Sequence, residues 1–143
     1  KNENPKAFMP FEIFKKAIKE SKQFNDFSSI KLNLRGEPTL HPEFLNLVKY
    51  AKDEGVLEVI MNTNGNYDLT TDELIDCGID EVAFSVDAMT KDVYKVVRNG
   101  GDFYLMMRNI FDLIHYVKLH KLNTRIRVSY VEQNAIILLI KLR

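Results

Sequence analysis

Segments with a strand-like apolar pattern alternate with helix-like segments along the chain, and this alternation constrains the fold more than any other feature. The predicted strands start near residues 31, 57, 81 and 125, so successive starts are 26, 24 and 44 residues apart. Parallel strands in one sheet need crossover connections, and these usually contain a helix. The pattern therefore predicts an α/β fold in which helices cover a parallel sheet.

Helical periodicity fills the intervals between these strands. Helices are predicted over 10–24, from Pro42 to just before Gly55, after Thr70 as far as Gly78, and from Asp102 onwards. Thr70 is followed three residues later by a glutamate, which is the spacing of a capping box. Gly55 and Gly78 are placed where a left-handed residue ends a helix. The interval between the third strand and Asp102 is a polar stretch.

The apolar face of the last helix is predicted from its helical spacing. Its predicted members are Phe103, Met107, Ile110, Phe111, Ile114 and Val117. This face is expected to pack against the sheet.

The composition fits one globular domain and argues against several functional classes. The chain has 143 residues, is 45% hydrophobic, and carries 20 basic and 20 acidic side chains. The resulting net charge of zero argues against bulk electrostatic capture of nucleic acid or of an anionic membrane. A run of roughly 18 apolar residues, as a membrane-spanning helix needs, is not found in the sequence. We therefore expect neither a nucleic acid nor a membrane as a partner.

The chain has a single cysteine, Cys77. One cysteine excludes an internal disulfide framework and fits a reducing compartment, so we expect a cytoplasmic protein. It equally excludes a metal cluster held by several cysteines of this chain. The position of Cys77 beside Gly78 indicates a small buried side chain at a helix end.

Polar and small residues gather where the predicted strands end. The first strand runs into 35–38 (Arg-Gly-Glu-Pro), the second into 62–65 (Asn-Thr-Asn-Gly), the third into 85–87 (Ser-Val-Asp), and the fourth into 133–134 (Gln-Asn). The carboxyl ends of parallel strands meet at one edge of a sheet, and their loops converge there. The sequence therefore predicts a site for a polar ligand at this edge.

The turn Gly36-Glu37-Pro38 is the most specific of these segments. Glycine lets the backbone approach a ligand, and proline stiffens the turn. Glu37 adds a negatively charged acceptor, so the turn suits an ammonium group. An ordinary strand-to-helix turn is the alternative interpretation, and Ser85 and Asp87 could equally cap the segment that follows them.

Arg98 lies beside two consecutive glycines at 100–101. This segment could present a cation and flexible backbone to a carboxylate or a phosphate. A simple connecting loop is the alternative interpretation.

Together these segments resemble the radical S-adenosylmethionine (SAM) superfamily. Residues 34–43 are similar to the Gly-Gly-Glu-Pro region of that family, and residues 63–65 to its Thr-Asn-Gly. Residues 77–87 are similar to its fourth-strand Ser-x-Asp segment, and 94–103 to the arginine-glycine stretch that follows. The resemblance covers about residues 9 to 134 and implies a partial TIM-like (β/α)6 barrel. It is nearest to the branch with peptide-maturing and molybdenum-cofactor-type enzymes.

The resemblance also implies a cofactor and a reaction. In the family, the Gly-Glu-Pro turn holds the amino group of the methionine moiety of SAM, and the later strand ends line the ribose and the carboxylate. The SAM-binding residues implied in this way are Gly36, Glu37, Pro38, Thr63, Asn64, Ser85, Asp87, Arg98 and Asn134. The family reductively cleaves SAM at a [4Fe–4S] cluster, and the 5′-deoxyadenosyl radical abstracts hydrogen from a substrate. A small-molecule or peptide substrate and an electron donor such as flavodoxin or ferredoxin are implied as partners.

The chain departs from the family pattern in three places. The three cluster cysteines, spaced C-x-x-x-C-x-x-C, are absent from this sequence, and we expect them upstream of residue 1. Arg35 replaces the first glycine of the family's turn. The apolar run 135–140 does not look like the amphipathic helix expected there.

We therefore expect residues 1–143 to be a single incomplete barrel domain that lacks the first strand and its cluster loop, with an atypical apolar tail over 135–143. Such a fragment is expected to be inactive by itself and prone to self-association through its open sheet edges. Two alternatives remain. The chain could be a degenerate, cluster-less and non-catalytic binding module, or an unrelated parallel α/β domain that binds another small molecule.

Overall fold

The computed structural model describes residues 8–24, 28–33 and 36–130. Strands and helices alternate along these residues in the predicted manner. The strands are β1 (Ser29–Leu32), β2 (Glu58–Thr63), β3 (Glu81–Val86) and β4 (Arg125–Tyr130). The α-helices are α1 (Phe11–Ser21), α2 (Phe44–Asp53), α3 (Thr71–Asp76), α4 (Lys91–Val97) and α5 (Phe103–Leu119). A short 3₁₀ turn, Pro38–Leu40, lies between β1 and α2.

The four strands form one parallel sheet in the order β1-β2-β3-β4. The register places Leu32 of β1 opposite Met61 of β2, and Met61 opposite Val82 of β3. The order follows the sequence, and each parallel neighbour is reached through at least one helix, which is the arrangement of a (β/α) barrel wall. The structure confirms the predicted α/β class and fits a fragment of a TIM-like barrel.

One face of the sheet carries the core. Side chains alternate along a strand, so that every second residue faces the helices. Val59, Met61, Val82 and Phe84 are all fully buried on that face, in one cluster with the apolar residues of the helices. On the opposite face of β2 and β3, the strand-end residues Asn62 and Ser85 are half-buried, while Ala83 is buried.

The predicted helix ends are confirmed for the most part. Thr70 and Glu73 form the expected capping box at the start of α3, and the Asp102 carboxylate caps α5 by accepting from the backbone N–H of Tyr104 at 2.8 Å. Gly55 and Gly78 have φ values of 87° and 90°, as a left-handed helix end requires. The first helix is shorter than predicted, Phe11–Ser21 instead of 10–24.

The structure differs from the predicted helices in two places. The polar stretch before Asp102 contains a helix that was not predicted, α4, whose start is capped by the side chain of Thr90. Its valines have low helix propensity, and this hid the segment from the sequence pattern. In α5 the predicted face is confirmed at Ile110, which is buried, and at four residues that are partly buried against the core, Phe103, Met107, Ile114 and Val117. It is wrong at Phe111, which is 60% exposed, and it omits the buried Met106 and Leu113. Apolar residues surround this helix on most sides, so spacing alone did not select the buried stripe.

The two outer strands differ from the central pair. Among the described residues, β1 and β4 each pair with a strand on one side only. The predicted self-association through these edges stays a prediction. No helix in the described ranges is long and apolar enough to cross a membrane. The predicted apolar tail, 135–143, lies outside the described residues.

Candidate functional site

A cavity of about 310 Å³ opens at the carboxyl ends of β1, β2 and β3. This is the edge at which the sequence predicted a ligand site. Its lining is formed by Asn33, Gly36, Glu37, Asn62, Thr63, Asn64, Ser85 and Arg98. Every lining residue except Gly36 has a polar side chain, and these include one carboxylate and one guanidinium group, so the cavity suits a small ligand with charge of both signs.

The carboxylate of Glu37 joins the turn after β1 to the loop after β2. Its Oε1 accepts from the backbone N–H and the hydroxyl of Thr39, at 3.3 and 2.8 Å, and from the hydroxyl of Thr63 at 2.8 Å. Its Oε2 accepts from the backbone N–H of Asn64 at 2.8 Å. A carboxylate has about four acceptor positions, and Oε2 holds one donor here. Glu37 therefore organises the cavity and retains an acceptor position on Oε2.

The loop after β2 is folded back on itself. The Thr63 hydroxyl, which donates to Glu37, also accepts from the backbone N–H of Gly65 at 3.0 Å. The side-chain oxygen of Asn64 accepts from the backbone N–H of Asn66 at 2.7 Å. Asx and hydroxyl turns of this kind fix a loop without a regular element. The backbone of Asn64 is thereby held against the cavity.

Arg98 and Asp87 form an ion pair at the cavity rim. The Nε–H of Arg98 donates to the Asp87 carboxylate, which is 13% exposed. The Arg98 side chain lines the cavity, and its guanidinium group carries further N–H donors besides the Nε–H that binds Asp87. The hydroxyl of Ser85 lines the cavity as well and makes no hydrogen bond to the described residues. Asp87 therefore orients Arg98 and leaves it able to bind an anionic ligand group.

Two further residues line the cavity: Asn33, which was not predicted, and Asn62, which was placed in a polar strand-end segment without a role of its own. Both lie on the polar face of the sheet, at or just after the ends of neighbouring strands. The amide oxygen of each is buried and has no hydrogen-bond partner within the described part of the chain. A buried acceptor without a donor is costly. The signal was available in the sequence, because Asn62 alternates with the core residues Met61 and Thr63 and must face the other side.

The structure brings most of the predicted site residues together. Gly36, Glu37, Thr63, Asn64, Ser85 and Arg98 all line the cavity. Pro38 instead begins the 3₁₀ turn, and Asp87 acts through Arg98. Asn134 and Arg35 lie outside the described residues. Whether these residues bind a ligand stays a prediction.

Cys77 takes no part in the cavity. It ends α3 and is buried, and its Sγ donates to the backbone oxygen of Leu74 at 3.1 Å. Burial raises the pKa of the Cys77 thiol to about 11. The thiol is therefore neutral at physiological pH and unreactive. Within the described ranges, no group of three or more His, Cys, Asp or Glu side chains could hold a metal ion.

A parallel sheet covered by helices, with a charged cavity at its carboxyl edge, defines an α/β domain of the barrel type. Comparison with known families gives the particular class. The sequence profile of the radical SAM superfamily matches residues 2–126, so the chain belongs to this superfamily. The interpretation as an unrelated α/β domain is therefore wrong.

Three characterised or named relatives show similarity over parts of the chain. A tungsten-containing aldehyde ferredoxin oxidoreductase cofactor-modifying protein of Pyrococcus furiosus is 32% identical over 91 residues, 61% of this chain and 25% of the relative. A probable GTP 3′,8-cyclase of Methanococcus maripaludis is 28% identical over 111 residues, 77% of this chain and 37% of the relative. Another of Sulfurisphaera tokodaii is 37% identical over 70 residues, 48% of this chain and 22% of the relative.

The chain thus spans about a quarter to two fifths of the length of these relatives. The names match the branch of the superfamily that the sequence resemblance indicated. The superfamily profile matches residues 2–126, and this range includes the strands and helices that build the cavity.

Proposed function

We propose that the cavity holds the methionine end of SAM, and that the chain is the SAM-holding part of a radical SAM enzyme. The observation that carries this proposal is the pair of opposite charges among the lining residues, Glu37 and Arg98. The methionine end of SAM is an α-amino acid, with an ammonium and a carboxylate on the same carbon. A site with one fixed anion and one fixed cation matches such a zwitterion.

Glu37 is suited to the ammonium group. Its Oε1 is occupied by Thr39 and Thr63, while Oε2 accepts one hydrogen bond, from Asn64, and has room for a second donor. Because the carboxylate is held by hydrogen bonds from two separate loops, it does not need to reorganise when a cation arrives. Preorganised acceptors of this kind bind charged groups more strongly than mobile ones.

Arg98 is suited to the carboxylate. The bond from its Nε–H to Asp87 fixes the plane of the guanidinium group, and the other N–H groups can bind two carboxylate oxygens together. Asp87 partly neutralises Arg98, so an added anion is bound by geometry as well as by charge. We assign Asp87 to positioning and Arg98 to direct contact.

The unpartnered amide oxygens support the fit of SAM to this cavity. The oxygens of Asn33 and Asn62 require hydrogen-bond donors. SAM carries donors on its ammonium, ribose and adenine groups, whereas inorganic phosphate has only its P–OH groups as donors. Ser85 adds a hydroxyl that can donate or accept. The cavity therefore fits a ligand that is rich in donors better than it fits a phosphate.

The chain does not supply a binding site for the [4Fe–4S] cluster. It contains one cysteine, and that residue is buried at the end of α3 with a raised pKa. We propose that the cluster cysteines of the working protein lie outside these 143 residues. The cluster would supply the electron that cleaves SAM to the 5′-deoxyadenosyl radical. The residues described above would bind and orient SAM.

We further propose a small-molecule substrate and an external electron donor such as flavodoxin or ferredoxin. The relatives named as a GTP 3′,8-cyclase and as a cofactor-modifying protein favour a small molecule over a peptide. Substrate contacts are expected in parts of the protein that these residues do not include.

The test is SAM binding by the protein expressed from its complete reading frame, purified and reconstituted with iron and sulfide without oxygen. We expect saturable SAM binding in equilibrium dialysis, and 5′-deoxyadenosine after addition of dithionite. Glu37→Gln should weaken SAM binding by about tenfold or more, since the variant loses the negative charge and places an amide against other donors. Glu43→Gln, at an exposed carboxylate without a side-chain cap bond at the start of α2, is the matched control.

The possible outcomes separate the competing functions. SAM binding without 5′-deoxyadenosine would support the degenerate, non-catalytic binding module. Absence of SAM binding by the reconstituted protein would overturn the proposal. Equal weakening by Glu37→Gln and Glu43→Gln would show that SAM does not depend on this cavity.

A further inference from the structure

An asparagine lies in the buried stripe of α5. Asn109 is 6% exposed and has the buried residues Met106, Ile110 and Leu113 as its neighbours on the helix. An amide at such a position destabilises a core unless its hydrogen bonds are made. A polar residue within an apolar stripe is a recognisable signal in a sequence, but no role was predicted for Asn109.

Both N–H groups of the Asn109 amide bind the loop after β2. Nδ2 donates to the backbone oxygen of Gly65 at 2.8 Å and to that of Tyr67 at 2.9 Å. These two carbonyl groups belong to the loop whose first residues line the cavity. Asn109 is therefore bonded to the back of the loop that presents Asn64 to the ligand site.

The other side of the same loop is bonded to the cavity carboxylate. The backbone N–H of Asn64 donates to Glu37, and the backbone N–H of Gly65 donates to the hydroxyl of Thr63, which itself donates to Glu37. The loop thus turns its N–H groups towards Glu37 and its carbonyl groups towards Asn109. The bonds towards Glu37 and the bonds towards Asn109 involve neighbouring peptide groups on the two sides of Gly65. A shift of the backbone that breaks one set is therefore expected to disturb the other.

A second set of contacts joins the loop to the start of α5. The side chain of Asn66 accepts from the backbone N–H of Asp102 at 2.6 Å and donates to the hydroxyl of Tyr94 at 2.7 Å. Met106, one turn before Asn109, lies so close to Gly65 that a Cβ there would be 2.8 Å from its Cγ. The loop therefore packs against the first half of α5, and these contacts fix its conformation.

We propose that Asn109 is a positioning residue for the ligand site. It fixes the peptide groups of the loop so that the N–H of Asn64 meets Glu37, and it sets ligand affinity without touching the ligand. The expected effect of Asn109 on SAM affinity rests on the proposed SAM site. The expected effect of Asn109 on the conformation of the loop does not depend on SAM.

The test compares Asn109→Asp with Leu113→Ala, a fully buried residue one turn further along the same helix. Aspartate has the shape of asparagine, but its carboxylate has no N–H to donate and repels the two carbonyl groups. We expect SAM affinity to fall by about tenfold or more in Asn109→Asp. We expect SAM affinity to change by less than about twofold in Leu113→Ala, when each protein is measured the same number of degrees below its own melting temperature. Asn109→Leu, which removes the donors without adding charge, serves if the aspartate variant does not fold.

Hydrogen exchange measured by mass spectrometry gives a readout that needs no ligand. Exchange in a peptide covering residues 63–67 should be faster in the Asn109 variants than in Leu113→Ala at matched stability. If wild type fails to bind SAM, the proposed function fails, and exchange alone decides the inference. If wild type binds SAM and both kinds of variant bind it equally, with equal exchange over 63–67, Asn109 is a core residue only and the inference is overturned.

Discussion

The loop after β2 and the edge strand β4 belong to the same sheet and are held in different ways. Residues 63–67 are fixed by hydrogen bonds that they donate to Glu37 and that they accept from Asn109 and from the backbone N–H of Asp102, and most of the groups involved are buried or half-buried. In β4, Ile126 is partly buried, and every other residue of the strand is exposed. The loop beside the cavity is therefore held by buried hydrogen bonds between side chains and backbone, whereas β4 is largely exposed to solvent.

Strand β4 is attached by its ladder with β3 and by ion pairs at its start. Arg125 pairs with Glu58 and Glu81, and Arg127 pairs with Glu81 at 2.9 Å. The hydrogen bonds to Glu58 and Glu81 raise the pKa of Arg125. Exposed ion pairs contribute little to stability, so β4 depends mainly on its backbone bonds.

The largest predicted effect is on the loop, in Gly65→Ala. Gly65 has a φ of +79°, and a Cβ would lie 2.8 Å from Met106 Cγ and 3.3 Å from Phe84 Cδ1. We expect a loss of about 3 kcal/mol in the free energy of unfolding, from left-handed strain together with overpacking. Urea denaturation followed by circular dichroism measures this loss.

Gly55→Ala is the matched control for that variant. Gly55 has a φ of +87°, but a Cβ there would have nothing within 4 Å. Its cost should be about 1 kcal/mol, from backbone strain alone. Equal losses in the two variants would mean that the loop does not pack tightly against α5. The loop after β2 would then not be more firmly held than β4.

The next effect compares one substitution in two neighbouring strands. Val82 in β3 is fully buried, whereas Val128 in β4 is 50% exposed on the same face of the sheet. Val82→Ala should cost about 2 kcal/mol, because it leaves a cavity in the core. Val128→Ala should cost less than about 0.5 kcal/mol, because its surroundings are largely solvent.

Thermal and urea unfolding of the two variants side by side would decide this point. A loss above 1 kcal/mol in Val128→Ala would show that β4 is covered in solution, by another part of the protein or by a second copy. The self-association predicted from the open sheet edges would then be the first explanation to examine, by light scattering at increasing concentration.

Much of this organisation could be predicted from the sequence. The strand starts were placed within about two residues, since period-two patterns bounded by turn residues are strong local signals. Six of the predicted site residues line the cavity, because parallel strands force their carboxyl ends to one edge. These successes depend on backbone geometry, which local sequence determines well.

The parts that could not be predicted depend on tertiary packing. The bonds between Asn109 and the loop join residues more than 40 positions apart, and no local pattern encodes such a pair. The buried side of α5 was misassigned at Phe111 because several stripes of that helix are apolar, and only the sheet decides between them. Asn33 was not predicted, and Asn62 was given no role of its own within the segment 62–65, because an asparagine at a strand end usually indicates a turn.

The smallest predicted effect concerns the ion pair of Arg127 with Glu81. The arginine side chain is 54% exposed and the glutamate side chain 13%. Arg127→Gln should cost less than about 1 kcal/mol at low ionic strength, since solvent screens an exposed pair. The cost should nearly vanish in about 1 M NaCl, where the screening length falls to about 3 Å.

Arg108→Gln, at an exposed arginine that has no ion pair within the described residues, is the control for a change of net charge. A loss of several kcal/mol that persists in salt, measured by urea denaturation, would mean that ion pairs hold β4 as firmly as buried hydrogen bonds hold the loop, and the two regions would no longer differ in kind.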